Sequence, residues 1–286
     1  MKLGSEAHKQ VFCRQFMLTH QHYDPEALPW PDLDPGALQR MRAVPFWQEV
    51  LHTEKRAGAI VKAFTETIED PLLKEAVAMQ GFEEARHAEL LRVMIRRYGI
   101  DAPEQPLEPM SADVVTAFKD FGFGECMDSY LGFGVFKIAR TSEFLPEAMF
   151  EIFDTLMYEE TRHVVFFVNW MAWNQARKGF AGKLAGPLVT LWFYLRAARR
   201  MMGLARRGAQ VNDGRDFAAT QVSVFLDNFT FRGFLEDCYG ENKRRMGELD
   251  PELIKPSFLP QLTHAALSAL RLWSLRHPRS TSAAAA

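Results

Sequence analysis

Two stretches of this sequence, Glu83-Glu84-Ala85-Arg86-His87 and Glu159-Glu160-Thr161-Arg162-His163, decide how the chain folds. Both read Glu-Glu-x-Arg-His, and each falls in the middle of a long run with helical spacing. Residues i and i+3 share one face of a helix, so Glu84 with His87, and Glu160 with His163, can reach one metal ion together. In the first run the apolar stripe passes Leu73, Ala76, Val77 and Gln80, then Glu84 and His87, then Leu91, Met94 and Tyr98. In the second it passes Phe150, Phe153 and Met157, then Glu160 and His163, then Phe167, Trp170 and Met171. Both pairs therefore fall in a buried seam, where a carboxylate without a partner is very costly. Bound metal is the natural compensation. Buried ion pairs to Arg86 and Arg162 are the plainer alternative.

Working outward, each motif is preceded by a helix with one acidic residue on its apolar stripe. The run Trp47, Val50, Leu51, Glu54, Ala57, Gly58, Val61, Phe64, Ile68 has Glu54 as its only charged member. The run Phe118, Phe121, Gly122, Glu125, Ser129, Gly132, Phe133, Phe136 has Glu125, with Asp128 a turn later as the competing carboxylate. Gly122, Gly124, Ser129 and Gly132 are expected to leave room beside a metal centre. A single Glu-x-x-His is weak evidence, as Glu49-Val50-Leu51-His52 shows: it has the same spacing, falls off the apolar stripe and reads as a solvated pair.

The layout follows from breaks and caps. Residues 1–44, with many Pro and Asp, read as an irregular lead-in holding a short helix after Asp34-Pro35. Pro45 opens a helix to about Asp70, and Asp70-Pro71 restarts the chain into a second one ending near Tyr98. The Pro-rich crossing 99–113 leads to Ser111 as N-cap of a third helix to about Arg140. Pro146 starts a fourth, reaching about Arg177. Further helices are expected near 183–207, 216–235 and 258–276, forming an extension over 178–276, with a disordered tail at 277–286. The class is all-α, and two tight helix pairs joined by a long crossover form a four-helix bundle over 45–177 of the ferritin-like variety, with additional C-terminal helices.

With these residues in place, the chain resembles the di-iron carboxylate proteins of the ferritin-like superfamily, whose pattern is a Glu, roughly thirty residues, Glu-x-x-His, and the same again. The Arg before each His is similar to the oxygen-activating branch, which includes hydroxylase subunits of bacterial monooxygenases and ribonucleotide reductase small subunits. The resemblance implies metal ligands Glu54, Glu84, His87, Glu125, Glu160 and His163. It implies that Glu83, Arg86, Glu159 and Arg162 orient the histidines, and that Ser129 handles oxygen or protons. The cofactor so implied is two iron ions, or a manganese–iron pair. An oxygen-rich set with only two imidazoles agrees with that choice.

The implied activity is a non-haem di-iron oxygenase that uses O2 to oxidise a small organic substrate, apolar or aromatic, with electrons from a separate reductase or ferredoxin. Flavin, haem and iron–sulfur motifs are not visible in the chain. A ferroxidase or iron-storage role is the second reading, opposed by the long extension after the fourth helix. A radical-generating di-metal scaffold is the third. It needs a tyrosine near the metals; Tyr130 and Tyr158 are candidates, but both read first as core.

Composition limits the alternatives. The chain has 48% hydrophobic and 24% charged residues and a net charge of −2, which gives no pull toward nucleic acid. Three scattered cysteines, Cys13, Cys126 and Cys238, suit a reducing setting, and Cys126 reads as a small core residue. The N-terminus lacks the apolar run of a signal peptide, and no stretch reaches the ~20 residues of a membrane helix. A cytoplasmic protein without a membrane span, assembled as a homodimer, is expected. Arg196, Arg199, Arg200, Arg206 and Arg207 read as a solvated helix face, with an anionic partner or membrane surface as the rival.

Overall fold

The computed structural model describes residues 2–211 and 230–276, and they are all-α, with no strand among them. Helix α1 spans Glu6–Leu18, a 3-10 turn Pro25–Ala27 follows, and α2 spans Pro35–Ala43. The short helix after Asp34-Pro35 is as expected, with the Asp34 carboxylate accepting from Gly36 and Ala37 N–H. Helix α1 corrects the irregular lead-in. Ser5 caps it by accepting from His8 N–H, and His8, Phe12 and Phe16, one turn apart, bury one side. The Pro and Asp residues that suggested irregularity lie in 24–35, beyond this helix.

Helices α3 (Trp47–Glu66), α4 (Pro71–Tyr98), α5 (Val114–Thr141) and α6 (Glu147–Arg177) carry the two motifs and their partners. Pro45 does not open α3. It stands in a turn, and Phe46 occupies the N-cap position without a side-chain hydrogen bond. The helix also ends before Asp70, because Asp70 takes an extended conformation to accept from Leu73 N–H and cap α4. Gly99 closes α4 at φ 57°, a left-handed position suited to glycine. Asp113, two residues after the expected Ser111, caps α5 by accepting from Thr116 N–H. Pro146 sits at the N-cap of α6.

Beyond them, α7 spans Gly179–Val211, α8 Phe231–Gly247 and α9 Phe258–Arg276. The helix expected near 216–235 lies largely outside the described residues. Thr230 caps α8 through Gly233 N–H, and the helix runs on well past 235. The expected disordered tail, 277–286, also lies outside them.

Helix α3 packs along α4, α5 against α6 and α3, and α1 across α4 and α6. Helices α7 and α8 both lie against α5, and α9 packs on α8. Two buried apolar groups flank the motif region. One includes Phe12, Val61, Phe118, Phe166 and Phe167, the other Met41, Leu51, Leu91, Met94 and Met149. The approach of α8 to α5 uses Gly134, where an added Cβ would lie 2.4 Å from Cys238 Sγ. No helix among the described residues is long and apolar enough to cross a membrane.

Candidate metal centre

The seam places Glu84 and His87 of α4 against Glu160 and His163 of α6, all buried, as a group that could hold a metal ion. The side chains interleave. His87 Nδ1 lies 3.0 Å from Glu160 Oε1 and 3.4 Å from Glu54 Oε2 of α3. His163 Nδ1 lies 3.1 Å from Glu84 Oε1. Glu125 of α5 joins from the fourth side, close enough to feel the charges of Glu160, Glu84 and Glu54. Asp128, the competing residue, is exposed and faces Arg200 at 3.7 Å. All six expected ligands are thus brought together, with Glu54 the most solvent-touched, its side chain 13% exposed. Of the Glu49/His52 pair, expected to be solvated, Glu49 is exposed, but His52 is half-buried with its Nδ1 buried and unpaired, because it sits one residue from the buried Leu51.

The imidazoles are anchored crosswise. His87 of α4 is held through Nε2 by Glu159 Oε2 of α6 at 2.9 Å, and His163 of α6 through Nε2 by Glu83 Oε2 of α4 at 2.7 Å. Each anchoring carboxylate has an arginine from the opposite helix on its other oxygen: Arg162 on Glu83 at 2.8 Å, and Arg86 on Glu159. With Nε2 taken, each ring turns Nδ1 toward the carboxylates of the seam. There His87 Nδ1, His163 Nδ1, Glu84 Oε2 and Glu160 Oε1 are buried without a hydrogen-bond partner of acceptable geometry. Four orphaned atoms, two nitrogens and two oxygens, converging in a buried space fit a metal site, since buried polar atoms are otherwise paired.

Electrostatics point the same way. Burial, reinforced by the charges of Glu160 and Glu84, pushes Glu54 up to about 7 despite the His87 imidazole 3.4 Å away. Burial and the same neighbours raise Glu125 well above the carboxylate range. Burial opposes ionisation of Glu160 too, but the His87 imidazole 3.0 Å away and that of His163 bring it down to about 2. His163, also disfavoured by burial, is pushed up to about 10 by Glu84 and Glu83. Four carboxylates share two imidazoles, so protons stand in for positive charge that a cation would otherwise supply.

A strap that the sequence did not reveal covers the anchors. Phe16 O and Thr19 Oγ1, at the end of α1, accept from Arg162, the latter at 2.9 Å. His20 Nδ1 pairs with Glu83 Oε1. Gln21 O accepts from Arg86 at 2.8 Å, and Tyr23 donates to Glu159 Oε2 at 3.1 Å beneath the Arg86 guanidinium. His20, Glu83 and Glu159 form a second group with metal-type spacing. The one signal was the density of His20, His22 and Tyr23 in an otherwise unpatterned stretch.

The glycines expected to leave room mostly admit neighbours. A Cβ at Gly122 would strike the Phe167 ring at 2.2 Å, and one at Gly124 the Arg200 guanidinium at 2.0 Å. Only Gly132 of this set has nothing within 4 Å. Ser129 is buried one turn after Glu125. Tyr130 is buried as core, Tyr158 is partly buried, and all three cysteines are buried and free. A cavity of about 550 Å³ between α5, α6 and α8 is walled mostly by polar and charged side chains, among them Arg140, Asp154, Glu241, Arg244 and Arg245, with Phe136 and Tyr158 as its two aromatic members. No family model, curated protein or solved structure matches this chain.

Proposed function

We propose that the chain is a ferritin-like, non-haem di-iron oxygenase that uses O2 to oxidise a small organic substrate. The observation that carries this reading is the crosswise anchoring of His87 and His163, which leaves both Nδ1 atoms and two carboxylate oxygens facing one buried space. Glu54, Glu84, His87, Glu125, Glu160 and His163 would hold two iron ions, or a manganese–iron pair. Such a pair, when bound, supplies two electrons at one place to a dioxygen molecule.

The chain's own residues prepare that place. Glu83 and Glu159 keep the Nε2 protons on the imidazoles, so that Nδ1 carries the free lone pair. Arg162 and Arg86 keep those carboxylates aligned. Phe16, whose ring lies 5.9 Å from that of His163, and Phe167 on the next turn help exclude water. Electrons come from a separate reductase or ferredoxin, and the cytoplasm and a homodimer are the setting we assign.

The test is a substrate screen on iron-loaded protein under ¹⁸O2 with a chemical reductant. Label entering an organic product supports an oxygenase. Label found only in water, with iron accumulating far beyond about two per chain, makes the protein an iron handler and overturns the reading.

A further inference from the structure

Helix α7 buries one apolar side and exposes another. Its inner side carries Phe193 and Tyr194, which pack on Phe123 of α5 at centroid distances of 5.3 and 5.1 Å. Its outer side carries Phe180, Leu184, Leu188, Leu191, Trp192 and Leu195, from 43% (Leu191) to 76% (Phe180) exposed. Steps of three and four residues align these side chains as one stripe along the helix. Contiguous apolar surface of this kind marks an interaction site.

Charge indicates what covers it. From Arg177 to Asn212 the sequence has eight Lys and Arg and no Asp or Glu, although the whole chain is slightly acidic. Arg177, Lys178 and Arg199 are exposed beside the stripe. Arg196 and Arg200 reach Asp120 and Asp128 of α5 at 2.6 and 3.7 Å, yet remain 46% and 41% exposed. Helix α9, which meets α7 where Phe258 stacks on Tyr194 at 4.6 Å, adds exposed Leu262 and Leu272, and no acidic residue follows Glu252. A second copy laid on the stripe would set one acid-free helix against another with no counter-charge. An anionic phospholipid surface offers both apolar depth and opposite charge.

We propose that α7 is an interfacial anchor, by which the protein docks on membranes containing anionic phospholipid with the helix lying in the plane of the headgroups. Docking would place lipid one helix away from the carboxylates, because Phe193 and Tyr194 on the inner side pack on Phe123, two residues before Glu125.

Flotation of the full chain with phosphatidylcholine vesicles containing about a third phosphatidylglycerol, and with pure phosphatidylcholine vesicles, tests this. The protein should float with the anionic vesicles, more weakly with the neutral ones, and less as salt is raised. The exposed triple variant Leu184→Ser, Leu188→Ser, Trp192→Ser should partition at least about ten-fold more weakly with an unchanged helical spectrum. Arg199→Gln should cost about five-fold. A chain that stays unbound with anionic vesicles, or a triple variant that floats as well as the parent, overturns the proposal. So does a dimer broken by the triple variant in a protein that ignores vesicles, because a second copy would then cover the stripe.

Discussion

Glu83 reaches across from α4 to hold His163 of α6, with Oε2 at 2.7 Å from Nε2, while its other oxygen receives Arg162 of that same helix at 2.8 Å. The same arrangement, with helices exchanged, joins Glu159 to His87 and Arg86. Each Glu-Glu-x-Arg-His motif therefore supplies an inward Glu and His to the centre, an outward Glu that holds the other motif's histidine, and an Arg that holds the other motif's outward Glu. Neither helix can set its own ring. The two motifs work only as a pair.

The account predicts that Glu83→Gln keeps the fold but weakens metal binding about 10- to 100-fold, because the His163 ring loses its charged anchor and Arg162 is left beside a neutral amide. Competition with a colour-changing chelator measures it. Affinity equal to that of the parent would show that the anchor does not orient the ring.

Tyr23→Phe separates the strap from the ligands. Among the described residues its hydroxyl hydrogen-bonds the anchor Glu159, at 3.1 Å. Stability should fall by about 0.5–1.5 kcal/mol in urea titration, with metal stoichiometry unchanged. Loss of metal in this variant would move Tyr23 from strap to ligand.

The glycines of α5 give a paired prediction. Gly122→Ala drives a Cβ to 2.2 Å from the Phe167 ring and should cost about 1–3 kcal/mol. Gly132→Ala meets nothing within 4 Å and should gain up to about 1 kcal/mol from helix propensity. Thermal unfolding of both variants reads the contrast, and equal effects would contradict the packing described for α5.

How much of this was legible depends on where the determinants lie in the chain. Helices α4 and α6 were readable because their limits are written locally, in Asp70-Pro71, Gly99 and Pro146, and their inner faces in an apolar stripe broken only by the motif residues and Gln80. Glu125 was separable from Asp128 only as the better match to a stripe, and the structure adds that Asp128 is exposed beside Arg200. Helix α1 escaped notice because His8, Phe12 and Phe16 form a stripe of only three members, ahead of a stretch dense in Pro and Asp. The strap's partners were not readable, since His20 meets a partner 63 residues away and Tyr23 one 136 residues away, and the density of His20, His22 and Tyr23 names neither. Local spacing carries no trace of such pairings.

Asp70 links α1 to α4 and yields a pH dependence. Against its burial, the Lys9 hydrogen bond and the Leu73 N–H hold its carboxyl below the usual value of 3.8. A depressed carboxyl contributes stability above its unfolded value and loses it as pH falls through the folded one. Asp70→Asn, which can still cap α4, should therefore be less stable than the parent by about 0.5–1 kcal/mol near neutral pH, and the gap should close as the pH falls below 3.8. Urea unfolding across that range measures it, and a gap that persists in acid would mean that the Lys9 pair contributes nothing.

The central claim is that the buried carboxylates and imidazoles of α3–α6 exist to hold metal. Elemental analysis of protein produced with ample iron, alongside Glu84→Ala and His163→Ala, tests it most directly. The account predicts about two iron ions per chain in the parent and loss of iron in both variants. A parent that retains no transition metal after reconstitution, with both variants unchanged, would contradict it and leave the cluster as buried ion pairs.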